Sequence, residues 1–376
     1  MAATPEERDR PGAGLKEPLV TDAATQRLHA RQQWDALDGL RAIAVLAVVV
    51  YHGSVGWAVN GYVGVDIFFA LSGFLITWLL LAEIARTGGI RVGAFYMRRL
   101  LRLYPALLAT LAVVVALAII GSGNPAIYGA AAASAFYAAN WWVGLGNQAP
   151  LLEHMWTLAI EEHFYFVWPF LTLLLTRRRA LLRIAGIAMA VALVVGMAVS
   201  WPAQVEPVRI MYLRGAPIVW GSLLAWALTR IAPAGRFRPL ITILAASASL
   251  ALLALVTVPI HFPEWWLTGP VGAAGLLSTI AVGSLVQAPH SFAGRLLSWA
   301  PLTWIGRRAY GIYLYHFPII SLLMHQVDFG IPQLVRSIIG IGLSVLVAGI
   351  SYRYLELPFL RIKHRYSTKP PSNSAD

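Results

Sequence analysis

The chain has 376 residues, of which 58% are hydrophobic and only 12% charged, more apolar surface than one soluble core hides. A formal net charge of +12 would point to nucleic acid in a soluble protein, but here the arginines sit in short clusters between apolar runs, which is a topological pattern. The absence of cysteine excludes disulfides, thiolate metal sites and a cysteine acyl-enzyme. The fold class expected is therefore an all-α polytopic membrane protein.

Residues 1–33 mix Ala, Pro and both charge signs without an apolar core of signal-peptide length, and read as a disordered cytoplasmic tail. Residues 34–366 form the membrane domain, and 367–376 a second short disordered tail. Ten apolar runs are long enough to span: Leu40–Trp57, Val63–Glu83, Leu103–Gly121, Met155–Leu175, Ala180–Ser200, Ile210–Thr229, Leu240–Ile260, Thr268–Gln287, Leu302–His325 and Leu334–Tyr354. An eleventh, Ile127–Val143, is short and Ala-rich, and would invert everything after it if it crossed. With ten spans and a cytoplasmic N-terminus, 26 of the 29 Lys and Arg residues fall inside, leaving only Arg209, Arg214 and Arg336 outside. That asymmetry follows the positive-inside rule, so Ile127–Val143 is expected as an interfacial or re-entrant helix and both termini as cytoplasmic.

The first span carries the leading candidate site. Arg41 and His52 are eleven residues apart, three helical turns plus ~20°, so they share one face and lie ~16 Å apart along the axis. An ionisable group at membrane depth points to a cavity and a function; the bland alternative is a snorkelling arginine and a histidine bonded to a neighbouring helix. Asp66 in the second span and Glu161 and Glu162 in the fourth fall at a depth similar to that of His52. A carboxylate beside an imidazole is the arrangement a general base requires. On the inner side Arg98, Arg99 and Arg102 form a dense cationic patch, with Arg98 and Arg102 one turn apart, suited to phosphates of a cofactor or of lipid. Ser72, in L-S-G-F, reads as close helix packing rather than a nucleophile. His316 could line the same cavity or make an interhelical hydrogen bond. His154 and His163 flank the glutamates at a spacing that makes no zinc-binding set, so no metal is expected.

Taken together, L-D-G-L-R-A-I-A-V-L-A-V-V-V-Y-H, G-V-D-I-F-F-A-L-S-G-F, F-Y-M-R-R-L-L-R-L-Y-P, W-T-L-A-I-E-E-H-F-Y-F-V-W-P, Y-G-I-Y-L-Y-H-F-P and E-L-P-F-L-R resemble, in order, the landmarks of the acyltransferase-3 family of bacterial membrane O-acyltransferases. The resemblance covers about Asp35 to Arg365. It implies transfer of an acyl group, usually acetyl from acetyl-CoA, to a hydroxyl of a sugar-containing surface or secreted acceptor. It also implies location in the bacterial inner membrane, in contact with lipid and without nucleic acid. Arg41 and His52 carry over as the essential pair, Arg98, Arg99 and Arg102 as the arginine motif that holds the donor, and Glu161 and Glu162 as the acidic motif. His52 is then the general base, oriented by Asp66 or Glu161. A polysaccharide, peptidoglycan, a glycolipid and a glycosylated small molecule all remain open as acceptors. The competing class is a transporter or flippase of lipid-linked saccharides, although no inverted repeat is visible.

Overall fold

The computed structural model describes residues 34–54, 59–121, 124–177, 206–230, 237–258, 272–326, 330–363 and 366. The two expected tails, 1–33 and 367–376, and the expected span Ala180–Ser200 lie outside the described residues. All regular structure among the described residues is helical.

Helix α1 runs over Asp35–His52, with Asp35 and Asp38 in its first turn, where carboxylates complement the helix dipole. A 3₁₀ turn at Gly61–Val63 leads into α2, Gly64–Thr87. Gly88, at φ 75°, closes α2 in the left-handed conformation that glycine adopts without strain, and its amide bonds the Ile84 carbonyl. Helix α3 is Val92–Ile120. The segment expected to stay interfacial or re-entrant consists of two short helices, α4 (Ala126–Ala135) and α5 (Ala139–Gly144), separated at Tyr137, whose φ is 53°. Ten and six residues reach ~15 and ~9 Å, too short to cross a hydrocarbon core.

Helix α6 is Met155–Arg177. The expected span at 210–229 is divided at Gly215 into α7 (Glu206–Arg214) and α8 (Ala216–Leu228). Helices α9 (Arg238–Thr257), α10 (Ala273–Gln287), α11 (Phe292–Leu297), α12 (Ala300–Arg307) and α13 (Ala309–Ser321) follow. A π turn at Leu322–Gln326 ends α13; α14 (Gln333–Ser351), a second π turn at Tyr352–Glu356 and α15 (Leu357–Lys363) follow.

Among the described residues, five helices are long and apolar enough to cross a membrane: Gly61–Thr87, Val92–Ile120, Met155–Thr176, Pro239–Thr257 and Gln333–Ile362. Other expected spans are shorter or broken helices, as at α7–α8 and α12–α13, and α1 carries Asp35, Asp38 and Arg41 in its first two turns. Backbone breaks at membrane depth are tolerated where the freed groups are covered by protein or line a cavity.

Helix α2 is the centre of the bundle, with 72% of its apolar window buried against 22% to 39% for the other four long helices. Small residues allow this. A side chain on Gly73 would strike the Ile218 carbonyl, and one on Gly221 the Ala70 carbonyl, so α2 and α8 touch backbone to backbone. Around that centre, Leu108 on α3, Leu250 on α9 and Ile338 on α14 leave apolar side chains exposed, the surface that lipid would cover.

Candidate active site

Helices α1 and α12 build one end of the site. A side chain on Gly306 would strike the Asp38 carbonyl, so the two helices approach closely there. Asp38 accepts a hydrogen bond from Arg41 (2.8 Å) and another from Arg307 (3.3 Å), while Arg307 also reaches Asp35 (2.9 Å). Arg41, Arg99, Arg102 and Arg307 together line one end of a cavity of about 310 Å³. Arg102 and Arg307 are exposed, so this end meets the surface.

From there the cavity follows α2. Its lining includes Leu79, Ile76, Leu75, Ser72, Phe69, Phe68 and Val65, the first and last fourteen positions apart, or ~21 Å of helix. Opposite stands α6 with Thr157, Leu158, Glu161 and Tyr165. Halfway along, the Ser72 hydroxyl donates to Glu161 Oε1 at 2.5 Å. The Arg99 guanidinium lies 3.4 Å over the Tyr165 ring, a cation–π contact that fixes its plane at the cavity wall. Glu161 is thus a carboxylate held among guanidinium groups rather than isolated in an apolar interior.

The far end is lined by two buried hydroxyls, Thr157 Oγ1 and Tyr313 Oη, 2.7 Å apart, and both lie within hydrogen-bond reach of the His154 carbonyl, at 3.1 and 3.2 Å. Beyond them lie three imidazoles. The ring centroids of His52 and His316 are 5.2 Å apart, those of His154 and His316 5.3 Å, and Phe317 stacks on His154 at 4.9 Å and meets His52 edge-on at 5.1 Å. Burial lowers the His154 pKa well below its ordinary value, and its neighbours His316 and His52 add to the shift, so this ring is neutral at pH 7.

The hydrogen bonds of the other two rings assign their protons. His316 Nδ1 is 2.6 Å from the Tyr313 carbonyl and His52 Nδ1 is 3.0 Å from the Val48 carbonyl. A carbonyl only accepts, so both Nδ1 atoms carry hydrogen. His316 Nε2 lies 3.3 Å from His52 Nδ1, and in a neutral ring it accepts that same N–H. His52 Nε2 is left with its lone pair, the atom able to take a proton.

The sequence-predicted residues therefore fall into separate places. Arg41, Arg99, Arg102 and Glu161 share the cavity, and His52 lies outside its lining, against His316. Arg98 does not line it: the guanidinium pairs with Glu83 at 3.0 Å and donates to the Tyr366 carbonyl at 2.8 Å, because Glu83 is buried on α2 and requires a cation. Glu162 faces a second cavity of about 400 Å³, between α3, α6 and the junction of α4 and α5, with Tyr96, Tyr104, Tyr137 and His163. Arg99 stands in the wall between the two cavities. Asp66 is buried in the first turn of α2. The hydrogen bonds of His52 go to the Val48 carbonyl and His316, where a carboxylate was expected.

Sequence reading missed Arg307 as part of the cationic end and treated Ser72 as packing. It is Gly73 that packs, while Ser72 binds Glu161. Among the described residues no group of three His, Asp or Glu side chains is arranged to hold a metal.

A family model described as an acyltransferase domain matches residues 34–353. The chain is 32% identical to the peptidoglycan O-acetyltransferase OatA of Listeria monocytogenes over 354 residues, 88% of this chain and 56% of that protein. It is 33% identical over 344 residues to the putative peptidoglycan O-acetyltransferase YrhL of Bacillus subtilis, covering 86% of this chain and 54% of the relative. A putative O-acetyltransferase of Staphylococcus aureus is 34% identical, covering 86% of this chain and 56% of that protein. The chain thus spans about half the length of the curated relatives it matches. No solved structure shows significant similarity.

Proposed function

The chain belongs to the acyltransferase-3 family, and from that premise we propose that it is a membrane O-acetyltransferase. In this reading it takes an acetyl group from cytoplasmic acetyl-CoA and delivers it to a hydroxyl of a carbohydrate-containing acceptor on the outer side of the bacterial inner membrane. Both termini are cytoplasmic, ten segments cross, and α4–α5 enters the membrane and returns. The names of the relatives make a peptidoglycan sugar the first acceptor to try.

The observation that carries the reading is the cavity itself, which has guanidinium groups at one end and an imidazole lone pair just beyond the other. Arg102 and Arg307 receive the phosphates of the donor, with Arg41 and Arg99 deeper in, because guanidinium forks match phosphate oxygens. The acyl-bearing arm lies along Ser72 and Glu161 towards Thr157 and Tyr313. His52 Nε2 takes the proton of the acceptor hydroxyl as its oxygen attacks the thioester carbonyl. The tetrahedral centre then collapses, the carbon–sulfur bond breaks, and the CoA thiolate leaves and is protonated. Asp66 and Glu162 lie outside this cavity, and we assign Asp66 to orienting the acceptor near the outer start of α2.

The test is CoA release by the purified protein in lipid vesicles supplied with acetyl-CoA and soluble peptidoglycan fragments. Acceptor-dependent release with acetyl recovered on the sugar supports the reading. Absence of release, with a lipid-linked saccharide moved across the vesicle instead, would replace it with a flippase.

A further inference from the structure

We propose that His316 is the positioning residue of the base: it holds His52 in the Nδ1–H tautomer and shares the charge that His52 gains. This rests on the acyl-transfer reading above and adds a residue to it. In water the neutral imidazole favours the Nε2–H form, which would present a proton, and not a lone pair, to an incoming hydroxyl. The protein reverses that preference at two rings in series. The Tyr313 carbonyl fixes hydrogen on His316 Nδ1 at 2.6 Å, which leaves His316 Nε2 as an acceptor 3.3 Å from His52 Nδ1. The Val48 carbonyl, 3.0 Å away, is the second acceptor for the same His52 N–H. Two acceptors converge on one hydrogen, and among the described residues no donor meets it.

When His52 Nε2 takes the acceptor's proton, the ring becomes an imidazolium whose Nδ1–H points between these acceptors. A charged donor roughly doubles the strength of each hydrogen bond, so the arrangement stabilises the protonated base more than the neutral one. The proton passes from the acceptor hydroxyl to His52 Nε2 and leaves with the CoA thiol, while His316 remains neutral throughout. In many hydrolases a carboxylate fills this place; a neutral imidazole fills it here without setting a second full charge in a buried cluster. His316 is suited to the role because it is fully buried, and its ring is confined by Tyr313 (centroids 5.3 Å), Phe317 (6.2 Å) and His154 (5.3 Å).

The experiment combines three variants with one spectrum. In His316→Gln the amide oxygen can stand where Nε2 stood and accept from His52; in His316→Asn the amide can reach only the Tyr313 carbonyl; His316→Leu can do neither. Turnover of acetyl-CoA should be largely kept in the Gln variant and fall about 10²-fold in both the Asn and the Leu variants, with the Michaelis constant for acetyl-CoA unchanged. If His316 merely braces Tyr313, Asn should restore activity, and that result would overturn the proposal. The ¹⁵N spectrum of histidine-labelled wild-type protein, with His52 assigned by its loss in His52→Ala, needs no His316 variant to fold. It should show the Nδ1–H form of His52, and an Nε2–H form would overturn the proposal outright. A wild-type protein that releases no CoA removes the acyl-transfer reading and this role with it, whereas an active wild-type with an active His316→Leu variant removes this role alone.

Discussion

Thr157 and Tyr313 meet hydroxyl to hydroxyl at 2.7 Å, from α6 and α13, and they stand between the arginine-lined cavity, which both line, and the His154 and His316 rings, 5.4 and 5.3 Å from that of Tyr313. Their shared neighbour is the His154 carbonyl. A Tyr313→Phe change would keep the ring and remove one hydroxyl, leaving Thr157 still able to donate to His154. The expected loss is ~1 kcal/mol of stability, the net value of one buried hydrogen bond, read as a small fall in melting temperature. Turnover should change more than stability does, because the proposed reaction brings donor arm and acceptor together at this hydroxyl pair. An active enzyme with an unaltered melting curve would show that the partition is only packing.

The three clustered arginines should separate experimentally into two kinds. Arg102 lines the cavity and is exposed, so Arg102→Ala should raise the Michaelis constant for acetyl-CoA about 10- to 100-fold, the loss of one charge-assisted contact. Arg98 pairs with Glu83, whose side chain is only 5% exposed. Arg98→Ala should therefore lower stability by about 3 kcal/mol through a carboxylate left buried without its cation, and alter donor affinity little. Parallel melting curves and donor titrations decide between the two. Equal effects on donor binding would mean that the cluster acts as one patch.

The paired glutamates should also differ. Glu161 accepts from Ser72 and faces Arg41, Arg99 and Arg102 across the first cavity, whereas Glu162 faces the second. Glu161→Gln keeps an oxygen for Ser72 and removes the one carboxylate that lines the cavity among Arg41, Arg99 and Arg102. It should cost about 10-fold or more in turnover, the loss of one charge-assisted contact, and Glu162→Gln much less. The reverse order, in the same CoA-release assay, would move the chemistry to the second cavity.

How far such distinctions were legible in the sequence depends on whether they are local. Helix periodicity alone separates Arg41 from His52 by three turns of one helix, and α1 runs unbroken over that stretch. The arginine cluster was equally visible. Its division was not, because the partner of Arg98 is Glu83, fifteen residues earlier on a different helix. Ser72 and Gly73 are adjacent letters with opposite duties, set by the positions of α6 and α8, and no window of sequence carries that information. His316 meets His52 only because α1 and α13 are neighbours, 264 residues apart in sequence. Hydropathy found the apolar runs, but not that Gly215 divides one of them or that α12 and α13 are separate helices, since a broken helix and a whole one have the same mean hydropathy.

The orientation expected from charge can be checked directly. Reporter fusions after Gln148 should report the outer side, and fusions after Arg179 the inner side. The opposite pair would place Ile127–Val143 across the membrane and invert every later segment, which would carry His316 and His154 to the wrong side of the partition.

The sharpest expectation concerns His52, the ring whose Nε2 keeps a lone pair at the C-terminal end of α1. A positioned base contributes ~10²- to 10⁴-fold in rate, so His52→Ala should lose activity by that order while the protein still inserts and still binds acetyl-CoA. Glutamine at this position retains a hydrogen-bonding amide near Nε2 and fills much of the ring's volume, but it cannot take a proton at neutral pH. If the role is chemical, His52→Gln is nearly as inactive as His52→Ala, and both melt close to the wild type. If the imidazole only ties α1 to α13, glutamine should restore much of the activity, and alanine should show its defect in melting temperature, because removing the ring leaves a gap beside His316 and Phe317. Turnover and thermal stability of the two variants, measured side by side, therefore separate proton transfer from packing. An active, stable His52→Gln protein would take His52 out of the mechanism and leave Glu161, already hydrogen-bonded to a hydroxyl inside the cavity, as the next base to examine.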